Sequence, residues 1–329
     1  MRTPWTKFEG KLATASAWQL GRLATDTAVK QSAVPLEDIK YIIMAESPSI
    51  QKDKGFIFSD FLKKSNYCDI EASKETNLLP FKNALDVLKS QPNAVVVVGG
   101  LESATQNQQK HEVLATNLDL LADISPCLVE NYIEESKLRF VQAQKENKFE
   151  SEVVALTVKQ RINQRNVIKE VKQDEVCVET IKDLCNILPY SDGASALVLC
   201  TRSKAHELNL APLAEIVTYE SIPSTPSVIK NSVECIEKLF AKGTIALNNI
   251  QHWEIDDYMP HLVAYLKHHF KLDMEFINPQ GGSLIMGHSP AASFPRLVTH
   301  LTHALKPQQN GCVVSFNGKE TLALILKKL

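Results

Sequence analysis

Apolar side chains recur at helical spacing over residues 18–32, through Leu20, Leu23, Ala24 and Ala28, and Val34-Pro35 then leads into a strand over 39–44. Residues 55–71 hold neither period. The helical spacing returns over 80–89 (Phe81, Ala84, Leu85, Leu88) and breaks at Gln91-Pro92-Asn93. The valine run 94–98, closed by Gly99-Gly100, then predicts a strand buried on both faces. Residues 104–190 are rich in Gln, Asn, Lys and Glu, which predicts an insertion lying over the core, with an amphipathic helix over 132–147 and a strand over 149–158.

Beyond it the pattern predicts a strand over 192–199, a short helix over 203–208, a strand over 212–219 and a helix over 228–242. A helix over 291–305, a turn at 306–311 and strands over 312–316 and 321–326 complete the chain. The order of helix, Pro/Asn turn, valine-rich strand and glycine turn occurs at 80–100 and again at 291–318. Each copy follows a helix and an acidic strand, at 17–46 and 228–258. A duplicated α/β unit explains both copies with one rule.

Composition narrows the function classes. The 329 residues are 44% hydrophobic and 22% charged, with a net charge of −2, so no sequence-wide electrostatic case for nucleic acid or an anionic membrane arises. No apolar run approaches the roughly 20 residues that cross a bilayer, and the N-terminus has no basic-then-apolar leader, so the expected location is cytoplasmic. The seven cysteines (68, 127, 177, 185, 200, 235, 312) are scattered without a CxxC pair, the pattern of buried reduced thiols. His268-His269 and His300/His303 fall on predicted helices with no third ligand nearby, so no metal is expected.

The chemistry concentrates in Asn278-Pro-Gln-Gly-Gly-Ser-Leu-Ile-Met-Gly-His288-Ser-Pro-Ala-Ala-Ser293. Gly281, Gly282 and Gly287 permit positive φ or close backbone approach. The ring of His288 is thereby placed at the mouth of the helix that follows, where free N–H groups and the positive dipole end suit a negative oxygen.

This run resembles the NxxGGxxxxGHPxGxSG signature of the thiolase family at Asn278, Gly281, Gly282, Gly287, His288 and Ser293, with Ser289 and Ala292 departing from it. Arg2-Thr3-Pro4, Gly99-Gly100-Leu101-Glu102-Ser103 and Asp192-Gly193-Ala194-Ser195-Ala196 are similar to further segments of the family. The resemblance implies an α/β, duplicated, five-layered α-β-α-β-α fold with mixed sheets. It divides the chain into an N-terminal half (1–103), a shortened loop domain (104–190), completion of the first half (191–220) and a C-terminal half (221–329). Thiolases place a strand before the Arg-Thr-Pro segment where this chain starts, so an incomplete first sheet is expected.

Thiolases use two cysteines and a histidine: one thiolate takes the acyl group and the other moves the proton α to the carbonyl. The resemblance places Asn77 at the nucleophile position and Ser315 at that of the second cysteine. Asp256 stands where an asparagine positions a water, and only His288 remains of the usual set. Gly282, Asn317 and Ser191 fall at substrate-binding positions. His288 reads as an oxyanion donor or as a ring kept by its glycine turn, and Asn77 as a thioester donor or a helix cap. Ser315 reads as a base or a turn hydroxyl, and Asp256-Asp257 as acid/base carboxylates or a solvated turn. The implied function is binding of an acyl-CoA or acyl thioester by a degenerate thiolase, with no cofactor besides the CoA thioester itself. The alternative is a non-catalytic subunit. A homodimer, or a heteromer with a thiolase-like subunit, is the expected assembly.

Overall fold

A computed structural model describes residues 1–46, 69–73, 78–107, 111–113, 126–145, 156–162, 165–171, 174–175, 187–223, 227–317 and 319–329. In chain order the principal elements are β1 (Thr6–Lys7), α1 (Ala17–Ser32), β2 (Ile39–Glu46), β3 (Asp69–Ser73), α2 (Leu78–Ser90), β4 (Val95–Glu102) and β5 (His111–Val113). Then follow α3 (Pro126–Lys145), β6 (Leu156–Ile162), β7 (Arg165–Val171), β8 (Ile187–Pro189), β9 (Ser191–Cys200), α4 (Arg202–Glu207) and β10 (Ala214–Pro223). The remainder is α5 (Val228–Ala241), β11 (His252–Ile255), α6 (Pro260–Phe270), α7 (Ser283–Met286), α8 (Ser293–Ala304), β12 (Asn310–Phe316) and β13 (Glu320–Lys328).

Two mixed sheets carry the fold, in the orders β1-β9-β4-β2-β3 and β10-β13-β12-β11. They repeat one topology. β9 runs antiparallel to β4, which is parallel to β2; β13 runs antiparallel to β12, which is parallel to β11. Alternation along each strand then assigns the layers. Val95 and Val97 of β4 join Leu20, Ala24 and Ala28 of α1 on one face, whereas Val96 and Val98 join Phe81 of α2 and Phe294 and Leu297 of α8 on the other. The same central cluster takes Val313, Leu322 and Leu324 from the second sheet, and Val314, Ala323 and Ile325 point away from it toward Cys235 and Ile236 of α5. The order is α1, sheet, α2 with α8, sheet, α5, as the duplicated sequence pattern implies.

Local chemistry sets several boundaries. Ser16 and Gln19 form a reciprocal capping box at the start of α1. The first residues run along β9: the Met1 ammonium donates to the Ala196 carbonyl at 2.7 Å, and Arg2 bridges to Ser195. Arg2 is itself wholly buried in a bidentate pair with Asp174, at 2.7 and 2.8 Å. Two expectations need correction. The 104–190 stretch does not simply lie over the core, because Tyr132, Ile133 and Phe140 of α3 are buried in the largest apolar cluster. The change of sheet falls between β9 and β10, inside 191–220, because β10 pairs with β13. Among the described residues no helix is long and apolar enough to cross a membrane.

Candidate active site

His288 lies in the loop between α7 and α8, 7% exposed. Its Nδ1 shares a hydrogen bond of 3.1 Å with Ser293 Oγ, and its carbonyl accepts the Ser191 N–H at 3.0 Å. The imidazole packs on Tyr258, centroids 4.4 Å apart, with Tyr190 at 6.3 Å on a second side. Close backbone packing holds this loop against the first sheet: a Cβ on Gly100 would stand 1.8 Å from the Ala291 carbonyl oxygen, so only glycine fits there. Phe81 in the first turn of α2 meets Phe294 in the first turn of α8 edge-on at 4.9 Å, so the two central helices begin side by side next to His288.

Behind the ring lies a buried polar network. Asp256 Oδ1 is 4.0 Å from His288 Nδ1, and the carboxylate accepts Ser283 Oγ at 3.1 Å and Ser315 Oγ at 2.9 Å. Asp257 accepts the Leu284 N–H at 3.1 Å and the Tyr132 hydroxyl at 3.0 Å. Asn278 donates to that same tyrosine oxygen and exchanges hydrogen bonds with both backbone groups of Ile255. Arg296, also wholly buried, donates to Ser283 Oγ at 2.9 Å. Burial raises both carboxyl groups from their ordinary value, Asp257 to about 6, against the opposing attraction of Arg296. One guanidinium therefore serves two carboxylates taken fully out of water.

The predicted residues meet different fates. Asp256 and Asp257 are not a solvated turn; both are 0% exposed. Ser315 is not a turn hydroxyl either, because it lies inside β12 with its side chain committed to Asp256. The structure brings His288, Asp256, Ser315 and Ser191 together. The hydroxyls of Ser191 and Ser289 are buried without a hydrogen-bond partner among the described residues. Gly282 backs onto Asp257, where a Cβ would meet the carboxylate at 2.2 Å. Asn317 instead closes the β12–β13 turn, its Oδ1 accepting the N–H groups of Lys319 and Glu320. Asn77 lies outside the described residues, as does the 55–68 stretch that held no period.

Sequence reasoning missed Tyr132, Tyr258 and Arg296 as parts of the site. The side chains of Cys200, Cys235 and Cys312 are described as free thiols. Burial raises all three, Cys235 to about 12, the reverse of what a nucleophilic thiolate requires. Among the described residues no group of three His, Cys, Asp or Glu side chains could hold a metal ion.

Residues 210–327 match the family model described as thiolase, C-terminal domain. That segment carries a thiolase C-terminal domain, and over its whole length the chain is similar to thiolases. It is 25% identical to the acetyl-CoA acetyltransferase of Yarrowia lipolytica, an alignment covering 100% of this chain and 95% of the relative. Its fold matches the Acat5 thiolase of Ascaris suum, solved in complex with coenzyme A, at a TM-score of 0.83 and 22% identity, over 100% of this chain and 98% of that one. The Bacillus anthracis acetyl-CoA acetyltransferase matches at 0.82 and 20% identity, covering 100% and 97%. The thiolase-type duplication is the repeated sheet topology described above, and the thiolase-like histidine run is the loop that carries His288.

Proposed function

We propose that this chain is a thiolase-superfamily member that binds an acyl-CoA or related acyl thioester beside His288 and does not run thiolysis or Claisen condensation through a cysteine acyl-enzyme. The observation that carries the reading is the His288 cluster itself. A buried imidazole is fixed at Nδ1 by Ser293, and the nearby hydroxyls of Ser191 and Ser289 have no partner among the described residues. Hydrogen-bond donors preset around a developing oxyanion are worth most where water is excluded. The resemblance puts Asn77 where a thiol would attack and Ser315 at the second thiol position, and the Ser315 hydroxyl donates to Asp256. A serine hydroxyl is a far weaker acid than a thiol.

Such a site polarises a thioester carbonyl without forming a covalent acyl intermediate. The chemistry left to it is cleavage that needs only an activated carbonyl, such as decarboxylation or retro-aldol scission of a bound thioester. Assembly as a homodimer or with a thiolase-like subunit belongs to the same reading. Titration calorimetry with acetyl-CoA tests it: the wild type binds and His288→Ala binds about tenfold more weakly, the loss of one buried hydrogen bond of roughly 1.4 kcal/mol. Absence of binding by the wild type, or equal binding by the variant, contradicts it.

A further inference from the structure

His288 meets one short segment of chain twice. Residues 256–258 follow β11 and are anchored where the Asp256 N–H donates to the Val314 carbonyl at 2.9 Å. Asp256 Oδ1 lies 4.0 Å from Nδ1 of the imidazole, and the Tyr258 ring lies against its face, centroids 4.4 Å and planes 34° apart. The end of β12 backs both contacts. Ser315 donates to Asp256, and Phe316, 2% exposed, stacks on Tyr258 at 4.6 Å and 30°. Near-parallel rings at such distances meet face to face, so the half-buried Tyr258 ring is held between Phe316 and the imidazole.

The imidazole depends on this second support. The torsion that turns a histidine ring is broad and roughly two-fold, so local sterics do not set its plane. The hydrogen bond shared with Ser293 at Nδ1 ties down one ring atom and leaves the plane able to swing. Tyr190, with its centroid 6.3 Å away, is too distant to press on the ring. The face of Tyr258 supplies the missing constraint, and Phe316 keeps Tyr258 from retreating.

We propose that Tyr258 is a positioning residue for His288: wedged by Phe316, its ring fixes the imidazole plane and with it the direction in which Nε2 faces a thioester oxygen. The proposal deepens the acyl-thioester reading of this site and rests on it. A flat aromatic face is what the role requires, and the phenol hydroxyl is not part of it. Phenylalanine at 258 therefore keeps the function, and leucine, which fills the space without a flat face, loses it.

A double-mutant cycle tests this, read by acetyl-CoA calorimetry and by nitrogen NMR of the histidine rings. The His288 signals are those lost in His288→Ala. Tyr258→Phe binds acetyl-CoA within about twofold of wild type, and Tyr258→Leu binds about fivefold more weakly. In the His288→Ala background Tyr258→Leu costs nothing further, because the contact acts through the imidazole. At about pH 8, where an ordinary imidazole is neutral, wild type and Tyr258→Phe show His288 as one fixed tautomer, and Tyr258→Leu shows an average of the two. Phe316→Leu moves both readouts the same way and serves if Tyr258→Leu does not fold. The proposal is overturned if Tyr258→Leu weakens binding equally with and without His288, if Tyr258→Phe is as weak as Tyr258→Leu, or if the leucine variants leave His288 in one fixed tautomer. Failure of the wild type to bind acetyl-CoA contradicts the acyl-thioester reading instead, and the NMR comparison then decides the role of Tyr258 by itself.

Discussion

The Ser315 hydroxyl donates to Asp256 Oδ2 at 2.9 Å, and both side chains are wholly out of water. A carboxylate so placed depends on its hydroxyl donors, of which Ser283 is the other. Ser315→Ala removes one donor and leaves the charge less compensated. The expected loss is roughly 1–3 kcal/mol of unfolding free energy, read by urea denaturation at pH 7, with Ser315→Thr closer to wild type.

Asp257 gives stability a pH dependence of defined sign. Its folded value is raised from 3.8 to about 6, chiefly by burial. The folded state thus holds the proton more tightly than the unfolded chain. This contribution is fully present below about 3.8 and is lost as pH rises through about 6. A shift of that size corresponds to roughly 3 kcal/mol. Asp257→Asn is expected to flatten the dependence of Tm on pH between about 4 and 6. An unchanged slope in differential scanning calorimetry rules out this titration.

Two glycines mark where backbone packs too closely for any side chain. Gly282→Ala drives a methyl into the Asp257 carboxylate, and Gly100→Ala drives one into the Ala291 carbonyl. Each is expected to cost roughly 3 kcal/mol or more, visible as lost soluble yield or a lowered denaturation midpoint. Gly243→Ala is the contrasting control: a Cβ there meets no atom within 4 Å, although its φ of +68° carries backbone strain of its own.

The architecture was legible because the central strand reads as a continuous β-branched run, buried on both faces. Val95 to Val98 send successive side chains to two different helical layers, and the repeat at 80–100 and 291–318 becomes the two central helix–strand pairs. The histidine loop was legible from its glycines. The acid network was not. Tyr132 reaches Asp257 across 125 positions of sequence, out of a polar stretch whose composition hides the buried face of α3. Arg296 shares its helix face with Ser293, Thr299 and His300, where nothing local distinguishes a guanidinium buried within electrostatic reach of two carboxylates from one turned to solvent. Ser315 looked like a turn residue because Asn317-Gly318 follows it, yet β12 continues to Phe316.

The assignment of Asn77 to the nucleophile position predicts a gain of reactivity. The resemblance implies that a thiol introduced by Asn77→Cys stands at a helix start facing His288, which lowers its pKa. It should be alkylated by iodoacetamide about tenfold faster at pH 7 than the native thiols, in proportion to its thiolate fraction. Peptide mapping reads the site of modification, and adding His288→Ala should slow it. An introduced thiol no more reactive than Cys235 or Cys312 would show that the helix start is turned away from the ring.

Loss of the enolate absorbance of acetoacetyl-CoA in the presence of CoA, followed together with the intact mass of the wild-type protein, tests the central claim most directly. A thioester site without a nucleophilic thiol predicts bound acetoacetyl-CoA, no CoA-dependent turnover and no acyl adduct. Turnover accompanied by an acyl group on any native cysteine contradicts it.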